Sequence, residues 1–134
     1  MKKGNCILKT LILVFPLMFL FACKDEDDNS SIINDFLGSY DADISVNNSG
    51  GTFAEQYILF IETPASGAED EISIRNIADE GNTYTAKVIG RDFIINQNPD
   101  YVTGTGTLQS GNQTIQLDYE IESQESGTGT LTKR

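Results

Sequence analysis

The chain of 134 residues has no histidine and no tryptophan, two cysteines, three prolines, and only nine basic residues against twenty acidic ones. Without histidine, nucleophile systems of the Ser–His–Asp and Cys–His kinds cannot be assembled. Zinc sites of the Cys/His type fall with them. The formal net charge is −11, and no basic run occurs in the body of the chain. A nucleic acid is therefore not an expected partner, because its phosphates need a cationic surface. No cofactor is expected either. The length fits one domain.

Long apolar runs are scarce as well. Residues 11–22 form an uncharged stretch of twelve, where a helix spanning a bilayer needs about 20. Lys2, Lys3 and Lys9 precede it. A positive start followed by a short apolar run has the form of a secretory leader. It closes on Leu20-Phe21-Ala22-Cys23, which resembles the lipobox of bacterial lipoproteins. The resemblance implies cleavage before Cys23 and acylation of Cys23, which becomes the membrane anchor. Lys24, Asp25, Glu26, Asp27 and Asp28 follow directly. A lysine and then acidic residues at this place resembles the lipoprotein export signal of Bacteroidota. That implies an outer-membrane protein facing the cell surface. Charge patterning alone reads the same residues as a solvated acidic tether.

Processing at Cys23 changes the arithmetic. Cys6 leaves with the leader and Cys23 carries lipid, so no disulfide can form. Residues 23–134 retain 6 basic and 20 acidic residues, a formal charge of −14. The expected organisation is a leader at 1–22, a lipidated acidic tether at 23–31, and a β-domain at 32–134.

From Ile32 onward the sequence alternates instead of following a helical period. Residues 32–37 form a turn of helix or an extended lead-in. Tyr40, Ala42, Ile44 and Val46 share one face, and Asp41, Asp43 and Ser45 the other. That is the period of a half-buried strand. Residues 55–63 carry apolar residues on both faces, Tyr57, Leu59 and Ile61 against Ile58 and Phe60, so this strand is expected to be central or covered twice. Further strands are expected over residues 71–77, 83–89, 93–95, 101–108, 113–122 and 127–132. Between them stand turn signals such as Asn48-Ser49-Gly50-Gly51, Glu80-Gly81-Asn82 and Ser110-Gly111-Asn112. The pattern predicts an all-β fold, an antiparallel meander of about eight strands closed into a barrel, with a compact β-sandwich as the alternative.

Gly104-Thr105-Gly106-Thr107-Leu108 recurs as Gly127-Thr128-Gly129-Thr130-Leu131. In a half-buried strand these glycines face inward with Val102, Leu108 and Leu131, and the threonines face water. Glycines there permit sharp coiling or the close approach of another backbone. A phosphate-binding glycine loop would need a strand–loop–helix context. The body, from Phe36-Leu37-Gly38-Ser39-Tyr40 through Tyr84-Thr85-Ala86-Lys87-Val88 to Leu117-Asp118-Tyr119 and the Gly/Thr strands, looks like small Bacteroidota lipoproteins with a lipocalin-like barrel. Tyr40 stands where lipocalins carry tryptophan.

Three sets of side chains are candidates for function. Tyr40, Tyr57, Tyr84 and Tyr119 all fall on inward faces. They either line a pocket, with rings for contact and hydroxyls for orientation, or belong to the core. Asp118, Glu120 and Glu122 share one strand face at about 6.8 Å per two residues, a spacing compatible with a carboxylate-based glycosidase and also with a solvated outer face. The groups 25–28, 69–71 and 79–80 offer oxygen atoms to calcium without an EF-hand spacing. No catalytic residue and no specific metal site is assigned. The expectation is a non-catalytic barrel acting as a binding or interaction module, for a small molecule or a protein. A structural envelope protein with a solid core is the alternative, and a small hydrolase a distant third.

Overall fold

The structure, a computed structural model, describes residues 29–97, 102–122 and 124–134. The expected leader, Cys23 and residues 24–28 lie outside the described residues, as does most of the expected loop around Pro99. Helix α1 (Asn29–Phe36) leads into strands β1 (Gly38–Asn48), β2 (Gly51–Glu62), β3 (Glu71–Arg75), β4 (Thr83–Ile89), β5 (Asp92–Gln97), β6 (Val102–Leu108), β7 (Thr114–Ile121) and β8 (Glu125–Lys133). Each strand pairs antiparallel with the next, and β8 returns to β1, from Tyr40 opposite Lys133 to Asn48 opposite Glu125. The meander is therefore a closed barrel, and the sandwich alternative is set aside.

Alternation closes the barrel around one apolar core. On β1, Tyr40, Ala42, Ile44 and Val46 are buried while Asp41, Asp43 and Ser45 are exposed. On β7, Ile115, Leu117 and Tyr119 are buried while Gln116, Asp118 and Glu120 are exposed. Among the described residues no polar or charged side chain other than tyrosine is buried. The Gly/Thr repeat now has a structural reason. Strands β6 and β8 flank β7, so Tyr119 lies between Gly104 and Gly127, and Leu117 between Gly106 and Gly129. A Cβ at Gly106 would strike the Phe93 ring, and one at Gly127 the Tyr119 ring. The aromatic rings occupy the room that the missing side chains leave, as in cross-strand aromatic–glycine pairs.

Helix α1 stoppers one end of the barrel. It starts at Asn29, inside the span expected to be tether, because residues 29–31 supply the first turn that lets Ile33 and Phe36 share one buried face. Phe36 is wholly buried, and its ring meets Phe93 edge-on at 5.8 Å. The helix's last carbonyls need outside donors. The Tyr40 hydroxyl donates to the Phe36 carbonyl at 2.6 Å, and Lys133 Nζ donates to the Asp35 carbonyl at 3.2 Å.

Strand β2 departs from the sequence expectation. Its outer face is not covered twice: Ile58 is exposed, and Phe60 is roofed only by the Arg75 guanidinium, 4.2 Å from the ring centroid. The strand also begins earlier than expected, at Gly51, and Ile77 belongs to a tight turn (Ile77–Asp79) rather than to β3. Asn76, Ala78 and Asp79 all take positive φ there. This left-handed stretch costs backbone strain, yet it brings Asn76 Nδ2 onto the Ile58 carbonyl at 2.8 Å and the Ala78 N–H onto the Tyr57 hydroxyl at 3.1 Å.

Candidate functional site

The four tyrosines all point inward. Tyr40 exposes 0% of its surface and Tyr84 1%. These two are packed core, the second of the two readings of the tyrosines. Tyr40 spends its hydroxyl on the Phe36 carbonyl, and burial with the nearby Asp35 charge pushes its pKa up to about 12. Tyr57 and Tyr119 belong to the opposite end, away from α1. Burial raises Tyr57; the Ala78 N–H and the Tyr119 hydroxyl pull it partly back, and Glu55 and Asp79 push it up again. Tyr119 donates to Glu125 Oε1 at 3.3 Å. Burial raises it above the ordinary tyrosine value, and Tyr57, Glu125 and Glu55 add to the rise.

The outer surface holds what the interior does not. Register aligns Ile94, Thr105, Asp118, Thr128, Ser45 and Ala54 in one row across β5, β6, β7, β8, β1 and β2. All six side chains are exposed. Where the sheet bends over its glycines, the row from Ile94 to Ser45 floors an open concavity of about 780 Å³, with Asn47, Glu120, Ser126 and the candidate Tyr119 also in its lining. Its lining is hydroxyl-rich, with an exposed isoleucine at one side (Ile94, 43%) and two carboxylates in the middle. Alternation foretold that Ser45, Thr105, Asp118 and Thr128 face outward. It carried no information on which strands would align them, because register is set by the whole barrel.

Asp118 and Glu120 are neighbours along one strand and point the same way. No other carboxylate stands opposite them in the concavity's lining. Glu122 follows in the turn after β7 and is exposed. Among the described residues no group of three or more Cys, Asp or Glu side chains is gathered as metal ligands, and the acidic run at 25–28 lies outside them.

The described cations are all engaged. Arg75 pairs with Glu62 at 3.3 Å, Lys87 with Asp70 at 3.2 Å and Arg134 with Asp41 at 3.2 Å. Lys133 is held by α1, and Arg91 donates to the Leu108 carbonyl at 3.0 Å. The end away from α1 carries Glu55, Asp79, Glu80, Glu120, Glu122 and Glu125.

Among solved structures, a redesigned β-barrel is similar to this chain at 14% identity and a TM-score of 0.43, over 77% of this chain and 95% of that one. A de novo designed fluorescence-activating β-barrel is similar at 18% identity and a TM-score of 0.44, over 76% and 96%. No family model matches the chain, and no curated protein matches it.

Proposed function

We propose that this is a lipid-anchored envelope protein whose barrel is a non-catalytic interaction module. The observation that carries this reading is the barrel's polarity: a tightly packed apolar interior inside a polar, concave outer wall. With Tyr40 and Tyr84 fully packed, recognition belongs to the outer surface and so to a macromolecular partner. A barrel that crosses a membrane shows the reverse, an apolar band outside. Attachment on this reading comes from lipid at Cys23. Several acyl chains, at about 0.8 kcal/mol per buried CH₂, hold such a protein stably. The chain enters the barrel through α1, so the tether joins at that end and the end with Tyr57, Tyr119 and Glu125 stands farthest from the anchor.

Anchoring and display are tested separately from interaction. Cys23→Ala should release the protein from membranes; full retention would refute lipidation. Alanines at residues 24–28 should lower protease access on whole cells, and unchanged access would refute the export reading. For the module itself, a photo-crosslinking residue at Thr128, in the concavity, should give discrete adducts with another protein on intact cells. The same residue at Lys87, outside it, should not. No adducts from Thr128 would leave the structural-envelope alternative in place.

A further inference from the structure

The wall between β2 and β3 is short. Strand β2 pairs with β1 along its whole length, but β3 pairs only with Phe60, Ile61 and Glu62. Among the described residues no strand lies on the other side of residues 51–56. The direction of the backbone groups follows from register. In a strand, the N–H and C=O of alternate residues point to the same side. The Ile58 carbonyl points to the β3 side, where Asn76 Nδ2 takes it. Thr52, Ala54 and Gln56 share that parity, so their N–H and C=O groups line an unpaired edge.

Edges of this kind invite another strand, and proteins blunt them with lysine, proline, a bulge or an inward-pointing charge; of these the segment has only Glu55, a charge that a cationic strand would neutralise. Residues 51–57, Gly-Thr-Phe-Ala-Glu-Gln-Tyr, contain no lysine and no proline, and the pairing with β1 runs through them without a bulge. Beside the edge, Phe53 is 43% exposed on the inward face, because no wall stands opposite it. On the outward face Ala54 stands beside Ser45 of the concavity, and Gln56 Nε2 donates to Asp43 Oδ1 of β1. Arg75, the cation beside the edge, is paired with Glu62, and the other charges there are negative. Glu55 is on the strand itself, and Asp79 and Glu80 are in the connection that covers Tyr57.

We propose that the free edge of β2, residues 51–56, is a strand-addition site for an extended, positively charged segment of another protein. The new strand would pair its backbone with Thr52, Ala54 and Gln56, the mode in which main-chain bonds give affinity and alternate side chains give specificity. A lysine or arginine on its inward side would meet Glu55, and an aliphatic residue would cover Phe53. Opposite charges in cross-strand pairs are favourable and like charges are not. A second copy of this acidic chain would set Glu55 against the same negative surface, which argues against self-pairing. This inference rests on the interaction-module reading and adds where and what kind of partner.

The probe is an eight-residue peptide of alternating Lys and Thr, titrated against the full-length Cys23→Ala protein. Controls are the alternating Glu and Thr peptide and the Lys/Thr peptide N-methylated at every second amide. The Lys/Thr peptide should bind saturably, and either control should lose at least tenfold in affinity. Ala54→Pro removes one edge N–H while leaving the β1 ladder untouched, as proline is tolerated where the N–H faces solvent; it should abolish binding with circular dichroism unchanged. Glu55→Gln should weaken binding severalfold and serves should Ala54→Pro not fold. Equal binding of the N-methylated peptide would reduce the effect to charge attraction and overturn the proposal, as would no binding at all. A concentration-dependent dimer dissolved by Ala54→Pro would overturn it in favour of self-pairing. Adducts from Thr128 on cells without peptide binding would overturn the edge alone; their joint absence would sink the interaction reading as well.

Discussion

Gly127 lies directly opposite Tyr119 across the β7–β8 ladder, and the phenol ring fills the place where its side chain would be. One position further along the same face, Gly129 lies opposite Leu117, and the β1 backbone at Asp43 closes over it. Gly104 and Gly106 repeat the arrangement on the β6 side of the same two residues. The two Gly-Thr-Gly-Thr-Leu segments are thus the two banks of β7.

Gly127→Ala should therefore destabilise the barrel by about 1–3 kcal/mol, the usual cost of overpacking a filled core. Gly129→Ala should cost at least as much, since backbone cannot rotate aside as a ring can. Thr128→Ala, which faces out, should change stability by under about 0.5 kcal/mol. Denaturant midpoints measure all three. The cost of Gly127→Ala should shrink in a Tyr119→Ala background, because the two side chains compete for one space. Additive effects would refute the pairing.

The same glycines mark how far the sequence could be read. Period-2 alternation placed Tyr40, Ala42, Ile44 and Val46 inward and Asp118 and Glu120 outward, and the turn signals separated the strands where the barrel separates them. What alternation could not carry was register. The row from Ile94 to Ala54 depends on how six strands align, and that is fixed by packing around the whole circle. The β2 edge was hidden for a related reason. Ile58 and Phe60 read as a second buried face, but a single Arg75 guanidinium covers Phe60 and the neighbouring strand stops short. Helix α1 was half legible: Ile33 and Phe36 have helical spacing, but nothing local shows that the barrel's end is waiting for them.

Phe36 tests whether that helix belongs to the fold. Its side chain is fully buried against Phe93, and its carbonyl takes the Tyr40 hydroxyl. Phe36→Ala should cost about 3–5 kcal/mol, the range for a buried aromatic replaced by alanine. Phe36→Leu should recover most of it. A near-neutral Phe36→Ala in urea denaturation would show that α1 is not a fixed stopper.

Arg91, in the β4–β5 turn, is joined to the β6–β7 turn and through it to the helix. Its guanidinium donates to the Leu108 and Gln109 carbonyls and to Asn112 Oδ1 at 2.8 Å, and Asn112 Nδ2 donates to Asp35 Oδ2 at 2.8 Å. The guanidinium spreads its donors over a planar fork that reaches separated acceptors, whereas an ammonium offers its three donors from a single point. Arg91→Lys should lose about 1–2 kcal/mol despite keeping the charge. Asn112→Ala should lose less in the Arg91→Lys background than in the parent. A charge-only role would leave Arg91→Lys neutral, as thermal denaturation would show.

Alkaline titration tests the burial of the phenols. Tyr40 keeps its proton up to about 12 in the folded barrel, against 10 when exposed. Between those values the unfolded chain binds fewer protons than the folded one, so stability falls as pH rises. Below pH 10 both states are protonated at Tyr40 and its contribution is complete. Tyr57 and Tyr119 are raised as well, so their linkage has the same sign. The melting temperature should be level near neutrality and drop steeply above pH 10. Tyrosinate absorbance from the buried phenols should appear only as the barrel opens. Tyr40→Phe should lower stability at neutral pH, through the lost bond to the Phe36 carbonyl, and make the alkaline fall shallower. Full tyrosinate absorbance at pH 10 in a protein that still shows its folded circular dichroism would refute the packed interior on which the functional reading stands.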